Sequence, residues 1–265
     1  MRADRVKIAV YGAGAMGTVL GAFLTEAGVE CDLISRNLAH VQAMQKQGAI
    51  VDCIADGEKK IIPVHALLPE EMMARYDLIF LMTKQRENKK LAEFLKEKLT
   101  SDGVVCTTQN GLPEESLCEI LGKERVYGAA VSFGANMLGE GKVELTSKLS
   151  SMSMQVGGYQ NANDKLPLFE EILGKISSVC KNEEFLKPTK NLAGARWSKL
   201  SINAAFSGLS VCTGCTFGKI AKRKKSKKIA LAIIRECLAV ANALNIAVEP
   251  MQGHDLQTLF GSGGV

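Results

Sequence analysis

The first two thirds of the chain is a succession of short apolar runs separated by stretches in which apolar residues recur every three or four positions. Val6 to Tyr11 is a β-branched apolar run ending at glycine, and Thr18 to Ala27 then has helical composition, so the pattern predicts strand, turn, helix. Glu30 to Ser35 predicts a second strand and Leu38 to Gln47 a second helix, stopped at Gly48. Asp77 to Thr83 is nearly continuous in its apolar character, as a strand buried on both faces is. A charged amphipathic helix through Leu99 and a strand over Gly103 to Thr108 follow, which makes the core of the sheet parallel. Arg125 to Ser132, Lys142 to Thr146 and Met152 to Gly157 predict further strands, the later ones joined by glycine-rich turns, so the sheet should end antiparallel. A helix over Leu166 to Cys180 precedes a break at Lys187-Pro188-Thr189. Beyond it strand patterns vanish and two helical stretches remain, Asn191 to Ser210 and Lys228 to Leu244.

Gly12-Ala13-Gly14-Ala15-Met16-Gly17 fits G-x-G-x-x-G directly after a strand and at the opening of a helix, where this spacing binds a dinucleotide pyrophosphate. Gly12 permits the turn, Gly14 lets the backbone approach the phosphates, and Gly17 lets the helix pack on the sheet. The free N–H groups of the first helical turn, at Ala15, Met16 and Gly17, then face the anion. The second strand ends at Ser35-Arg36, where NAD enzymes carry an acid against the ribose hydroxyls. A guanidinium offers a 2′-phosphate a charge-assisted bidentate partner, with the serine hydroxyl as a further donor, so the cofactor expected is NADP(H). A plain surface arginine is the alternative at Arg36. Asp32 comes too early in the strand to reach the ribose. The fold class expected is α/β: a Rossmann-like dinucleotide-binding domain over residues 1–187, then an all-helical domain over residues 188–265.

Composition adds limits. Hydrophobic residues make up 46% and charged residues 23%, the balance of a globular protein able to bury a core. No signal-peptide pattern and no run of roughly 20 apolar residues is present, so a cytoplasmic protein without a membrane span is expected. The eight cysteines lie in apolar segments and read as free thiols; Cys212 and Cys215 have CxxC spacing but no second pair or histidines to complete a metal site, and no metal is required. The net charge of +5 is local to the run Lys222, Arg223, Lys224, Lys225, Lys227 and Lys228, which reads as a solvated helix end, so no nucleic-acid partner is expected.

Four motifs stand in an order that resembles the ketopantoate reductases (2-dehydropantoate 2-reductases): GAGAMG, Thr83-Lys84, Thr108-Gln109-Asn110-Gly111-Leu112, and the run from Arg196 to Asn203. The resemblance spans nearly the whole chain. Lys199 and Asn203 are four apart, hence one turn from each other on one helix face. An ammonium there can bond a ketone oxygen and supply the proton as hydride reaches the carbonyl carbon, while the amide orients the substrate. A lysine snorkelling off an apolar helix is the alternative. The resemblance implies Lys199 as general acid, Asn203 as substrate ligand, Asn110 at the nicotinamide and substrate, and Lys84 on the cofactor. It implies NADPH-dependent reduction of 2-dehydropantoate to pantoate, in pantothenate and coenzyme A biosynthesis, in a cleft between the two domains, with a homodimer allowed. Reduction of another 2-oxo acid or ketone, and a non-catalytic NADP(H)-binding regulatory protein, are the competing readings. The family continues into a segment bearing a serine and a carboxylate, whereas this chain stops at Gly261-Ser262-Gly263-Gly264-Val265, so an incomplete C-terminal domain is expected. Glu249, His254, Asp255 and Ser262 are not assigned those roles.

Overall fold

The computed structural model describes residues 6–250 together with Asp255, Leu256 and Thr258. In β1 (Ile8–Tyr11), Ile8 and Val10 enter one hydrophobic cluster and Ala9 and Tyr11 another, which is why the strand reads as continuously apolar. α1 (Ala15–Glu26) begins three residues before the expected start, because the first turn is built from small residues and a glycine that carry little helical signal of their own. β2 (Cys31–Ile34) and α2 (Leu38–Gln47) follow, the latter capped by the Asn37 side chain and closed at Gly48. Three strands that the apolar pattern did not reveal come next: β3 (Ala49–Cys53), β4 (Glu58–Ile62) and β5 (His65–Leu67). Four of the five β4 residues are not buried, so it carries almost no core signal.

The alternation resumes with β6 (Tyr76–Leu81), α3 (Asn88–Lys98), β7 (Leu99–Thr107), α4 (Glu114–Leu121) and β8 (Val126–Val131). β9 (Ala135–Gly139), β10 (Lys142–Leu145), β11 (Met154–Gly158), α5 (Leu166–Gly174), α6 (Ile176–Cys180) and β12 (Leu186–Pro188) complete this part of the chain. The expected single helix over Leu166 to Cys180 is thus two. The expected break at Lys187-Pro188-Thr189 is also corrected, because Leu186–Pro188 pairs parallel with β11 at the sheet edge, where a proline's missing N–H costs no ladder bond.

Eight strands form one sheet in the order β12-β11-β8-β7-β6-β1-β2-β5, parallel throughout except for β8 against β11. The chain leaves β1 toward β2 on one side and later returns to β6 on the other, making the β1/β6 junction the switch point at which such sheets take ligands. Lys142 to Thr146 does not continue this sheet as expected. β10 instead joins β4, β3 and β9 in a second, four-stranded sheet. The reason lies in α1, whose residues 17–24 are all buried; a helix apolar around its circumference needs cover on both sides, and the second sheet supplies it.

The chain divides into two compact units, Met1–Lys190 and Asn191–Val265. The second contains α7 (Leu192–Thr213), α8 (Phe217–Lys222) and α9 (Lys224–Ala243). Its core is a stripe at helical spacing on α9, Ala230, Ile234 and Leu238, packed with Ala205, Ile220 and Leu256. α9 starts at Lys224, four residues earlier than the pattern suggested, so half of the basic run, Lys224, Lys225 and Lys227, occupies its first turn, where cations oppose the helix dipole. Among the described residues no helix is long and apolar enough to cross a membrane.

Candidate functional site

The C-terminal ends of β1, β2 and β6 open onto a cavity of about 830 Å³ within the first unit. Its floor is the glycine turn. Gly12 sits at φ 102°, and the N–H groups of Gly12 and Ala13 both donate to the Ile34 carbonyl at 2.9 and 2.8 Å, which fastens the turn to the end of β2. The Gly14 N–H donates back to the Gly12 carbonyl at 2.7 Å. A Cβ at Gly12 would lie 2.8 Å from the Met82 carbonyl carbon, and one at Gly17 would press into the Gly12 carbonyl oxygen. At Gly14 a Cβ would meet nothing within 4 Å, so this face of the turn is open. No side chain caps α1, which leaves the amides of Ala15, Met16 and Gly17 without intrahelical acceptors at the helix's positive end.

Ser35, Arg36 and Lys84 line the same cavity. The Ser35 N–H bonds the Leu67 carbonyl at 3.1 Å, and its hydroxyl accepts from the Asn37 N–H at 3.3 Å. Arg36 Nη1 stands 3.5 Å from Glu87 Oε2, both side chains largely exposed. Asp32 is not part of the lining. It is buried, accepts a 2.6 Å bond from the Tyr76 hydroxyl and lies 2.7 Å from His65 Nδ1. Arg86, Glu87 and Lys90 also line the cavity and were missed in the sequence, where they look like the solvated face of a charged helix; their only signal is their place just after a buried parallel strand. Tyr11, Leu91 and Phe94 give the cavity an apolar wall, with the Tyr11 and Phe94 rings 5.9 Å apart.

Asn110 lies outside this lining, exposed at the end of β7, with its backbone carbonyl accepting from the Gln85 side chain. Its loop is tied to the loop after β6 by buried amides. Gln109 Nε2 donates to Asn88 Oδ1 at 2.8 Å, Asn88 Nδ2 returns a bond to Gln109 Oε1 at 3.1 Å, and Gln109 Nε2 also reaches Thr83 Oγ1 at 3.3 Å. The segments carrying Lys84 and Asn110 are therefore held to each other by side chains that water does not compete for.

Lys199 and Asn203 belong to the second unit, one turn apart on α7 and both partly buried. Burial, with a smaller contribution from the like charge of Arg196, lowers the Lys199 ammonium to about 8. Asn191 caps α7 through the Gly194 N–H at 3.0 Å and donates to the Ala247 carbonyl at 2.7 Å. The Ser198 hydroxyl bonds the Glu249 carbonyl, so the segment after α9 is sewn to the start of α7. Asp255 accepts from the Thr258 hydroxyl at 2.6 Å, while His254, Ser262 and the glycine-rich end lie outside the described residues.

A family model described as ketopantoate reductase PanE/ApbA matches residues 8–159, and one described as its C-terminal part matches residues 191–258. The chain is 26% identical over 250 residues to a 2-dehydropantoate 2-reductase of Pyrococcus horikoshii, covering 93% of this chain and 78% of the relative. To one of a Nostoc species it is 27% identical, covering 77% of this chain and 63% of the relative. Among solved structures, 2-dehydropantoate 2-reductase from Geobacter metallireducens superposes with a TM-score of 0.79 at 27% identity, covering 94% of this chain and 79% of that one. A D-mandelate dehydrogenase solved with NADH and anilino(oxo)acetate shares the fold, with a TM-score of 0.79 at 24% identity over 92% of this chain and 76% of that one.

Proposed function

Since the chain belongs to the ketopantoate reductase PanE/ApbA family, we propose that it reduces 2-dehydropantoate to pantoate with NADPH, in the cytoplasm, on the route to pantothenate. The observation that carries the reading is the first unit's cavity, where Gly12, the open face at Gly14 and the Arg36 guanidinium line one space, and where the uncapped start of α1 follows Gly14 directly; Ala15, Met16 and Gly17 themselves are not in the lining. That donor set suits a dinucleotide with a 2′-phosphate: fixed amides for the pyrophosphate, and a planar cation where an NAD enzyme has an acid.

When bound, NADPH supplies the hydride that adds to the ketone carbon. The chain's own residues do the rest. Gly12, Gly14 and the amides of Ala15, Met16 and Gly17 hold the pyrophosphate, Ser35 and Arg36 the 2′-phosphate, and Lys84 the cofactor from the end of β6. Residues 188–265 supply the acid and the substrate amide. Lys199 donates the proton that the ketone oxygen gains, and with its ammonium lowered to about 8 it gives that proton up more readily near neutral pH than an exposed lysine does. Asn203 and Asn110 orient the 2-oxo acid. No metal is called for.

Steady-state and stopped-flow assays test this directly. The protein should oxidise NADPH in the presence of 2-dehydropantoate in preference to a panel of other 2-oxo acids. Lys199→Ala should lower the hydride-transfer rate by about 10²–10⁴ while NADPH affinity stays nearly unchanged. Turnover of another 2-oxo acid in place of 2-dehydropantoate removes the substrate name; normal hydride transfer in Lys199→Ala removes the mechanism.

A further inference from the structure

Resting on the reading that Arg36 receives the 2′-phosphate of NADP(H), we infer that Glu87 is a specificity-determining residue: it holds Arg36 when that phosphate is absent and opposes the phosphate when it arrives. The cavity lining carries four cations, Arg36, Lys84, Arg86 and Lys90, against a single acid, Glu87. That acid is the one paired with Arg36, Nη1 to Oε2 at 3.5 Å. Asp32, the acid on β2, is buried and engaged by Tyr76 and His65, so it does not perform this function.

Two consequences follow from charge. A guanidinium edge that pairs bidentately with a phosphate cannot keep a carboxylate on the same edge, so a phosphate that takes the edge bearing Nη1 displaces Glu87. The existing pair is single-contact and exposed, with the side chains 77% and 62% accessible, and pairs of that kind are weak enough to be displaced. The displaced carboxylate nevertheless remains near a group carrying close to two negative charges, and the repulsion lowers NADPH affinity. NADH meets no such repulsion. Its 2′-hydroxyl can donate to Glu87 as it would to the acid that ends the second strand of an NAD enzyme. Glu87 therefore narrows the preference for NADPH over NADH, while Arg86 and Lys90 pull in the other direction.

Calorimetric titration of NADPH and NADH into wild type, Glu87→Gln, Glu87→Lys and Arg36→Gln, at low and high salt, tests the inference. Glu87→Gln should tighten NADPH by roughly three- to tenfold at low salt, less at high salt, and leave NADH unchanged or weaker; Glu87→Lys should extend the trend. Unchanged or weaker NADPH binding in Glu87→Gln, with Arg36→Gln still losing NADPH selectively, overturns the inference and leaves the cofactor reading standing. An equal shift for both cofactors in the Glu87 variants shows a merely structural role and overturns it too. Equal losses of both cofactors in Arg36→Gln bring down the cofactor reading and the inference with it.

Discussion

One methyl group added at Gly14 and one added at Gly17 should fail in opposite ways. At Gly17 the new Cβ would press into the Gly12 carbonyl oxygen and lie 3.0 Å from the Gly12 carbonyl carbon and 3.2 Å from Val10 Cγ1. These are backbone and core atoms that cannot swing aside. Overpacking costs about 1–3 kcal/mol, and against atoms this close and this fixed about 2–3 kcal/mol, offset by the roughly 1 kcal/mol that alanine gains over glycine inside a helix. A net loss of about 1–2 kcal/mol corresponds to a melting temperature lower by roughly 2–8 °C for a unit of this size. At Gly14 the backbone angles, φ −85° and ψ −154°, are open to alanine, and no atom lies within 4 Å of the added carbon. The cost there is only the poorer N-cap, up to about 1 kcal/mol. The methyl instead enters the space through which the pyrophosphate approaches, so Gly14→Ala should keep most of its thermal stability and lose roughly tenfold or more in NADPH affinity. Thermal melts of the cofactor-free variants and nicotinamide fluorescence titrations separate the two effects. If Gly14→Ala binds NADPH as wild type does, the open face is not the cofactor's path. If Gly17→Ala melts with wild type, the close packing of α1 on the turn is not what requires glycine.

The buried amide pair gives a second expectation. Gln109→Leu takes the donor from Asn88 Oδ1, leaving Asn88 its bond to Ser116, and Asn88→Leu leaves Gln109 its bonds to Thr83 and Thr107. Each should cost about 1–3 kcal/mol by chemical denaturation, while the double variant costs less than the sum. Additive losses would mean the two amides are not partners. His40 is buried, its Nδ1 accepts from the Gly141 N–H at 2.9 Å and its Nε2 lies 3.1 Å from Thr18 Oγ1; burial lowers its pKa, outweighing the pull of Glu140. The unfolded chain therefore takes up the proton first, and the stability His40 contributes is present above its unfolded value of about 6.5 and is lost as pH falls below it. Wild type should lose more melting temperature than His40→Gln on acidification, and parallel curves would refute this. Lys199, charged below about 8 and neutral above, should make kcat/KM for ketone reduction fall as pH rises through about 8, and a flat profile across that range would exclude it as the proton donor.

The parts of the site that were legible in the sequence are those whose meaning is local. Gly12, Gly14 and Gly17 announce a turn because their spacing and the preceding strand lie within ten residues, and Ser35-Arg36 is readable because it ends the next strand. The second sheet was not legible. Its central pairing, β3 with β10, joins residues more than ninety positions apart, and β4 shows the outside of the molecule for most of its length. Glu87 was hidden for the same reason. In sequence it stands among Arg86, Lys89 and Lys90 and looks like one charge of a solvated helix. Only the register that sets Tyr11 beside Leu81 on one flank of β1 and beside Ile34 on the other brings the start of α3 to the end of β2. An acid therefore does face Arg36 at the end of the second strand, as in an NAD enzyme, but it is delivered from the loop after β6. Asp32, the acid on β2 that stands too early in the strand to reach the ribose, is kept from the cavity by its burial against Tyr76 and His65. Cofactor preference in such a site is a contest between side chains that topology assembles, so reading the residue at the end of the second strand offers a candidate for the attractive half of that contest and leaves the repulsive half to the fold.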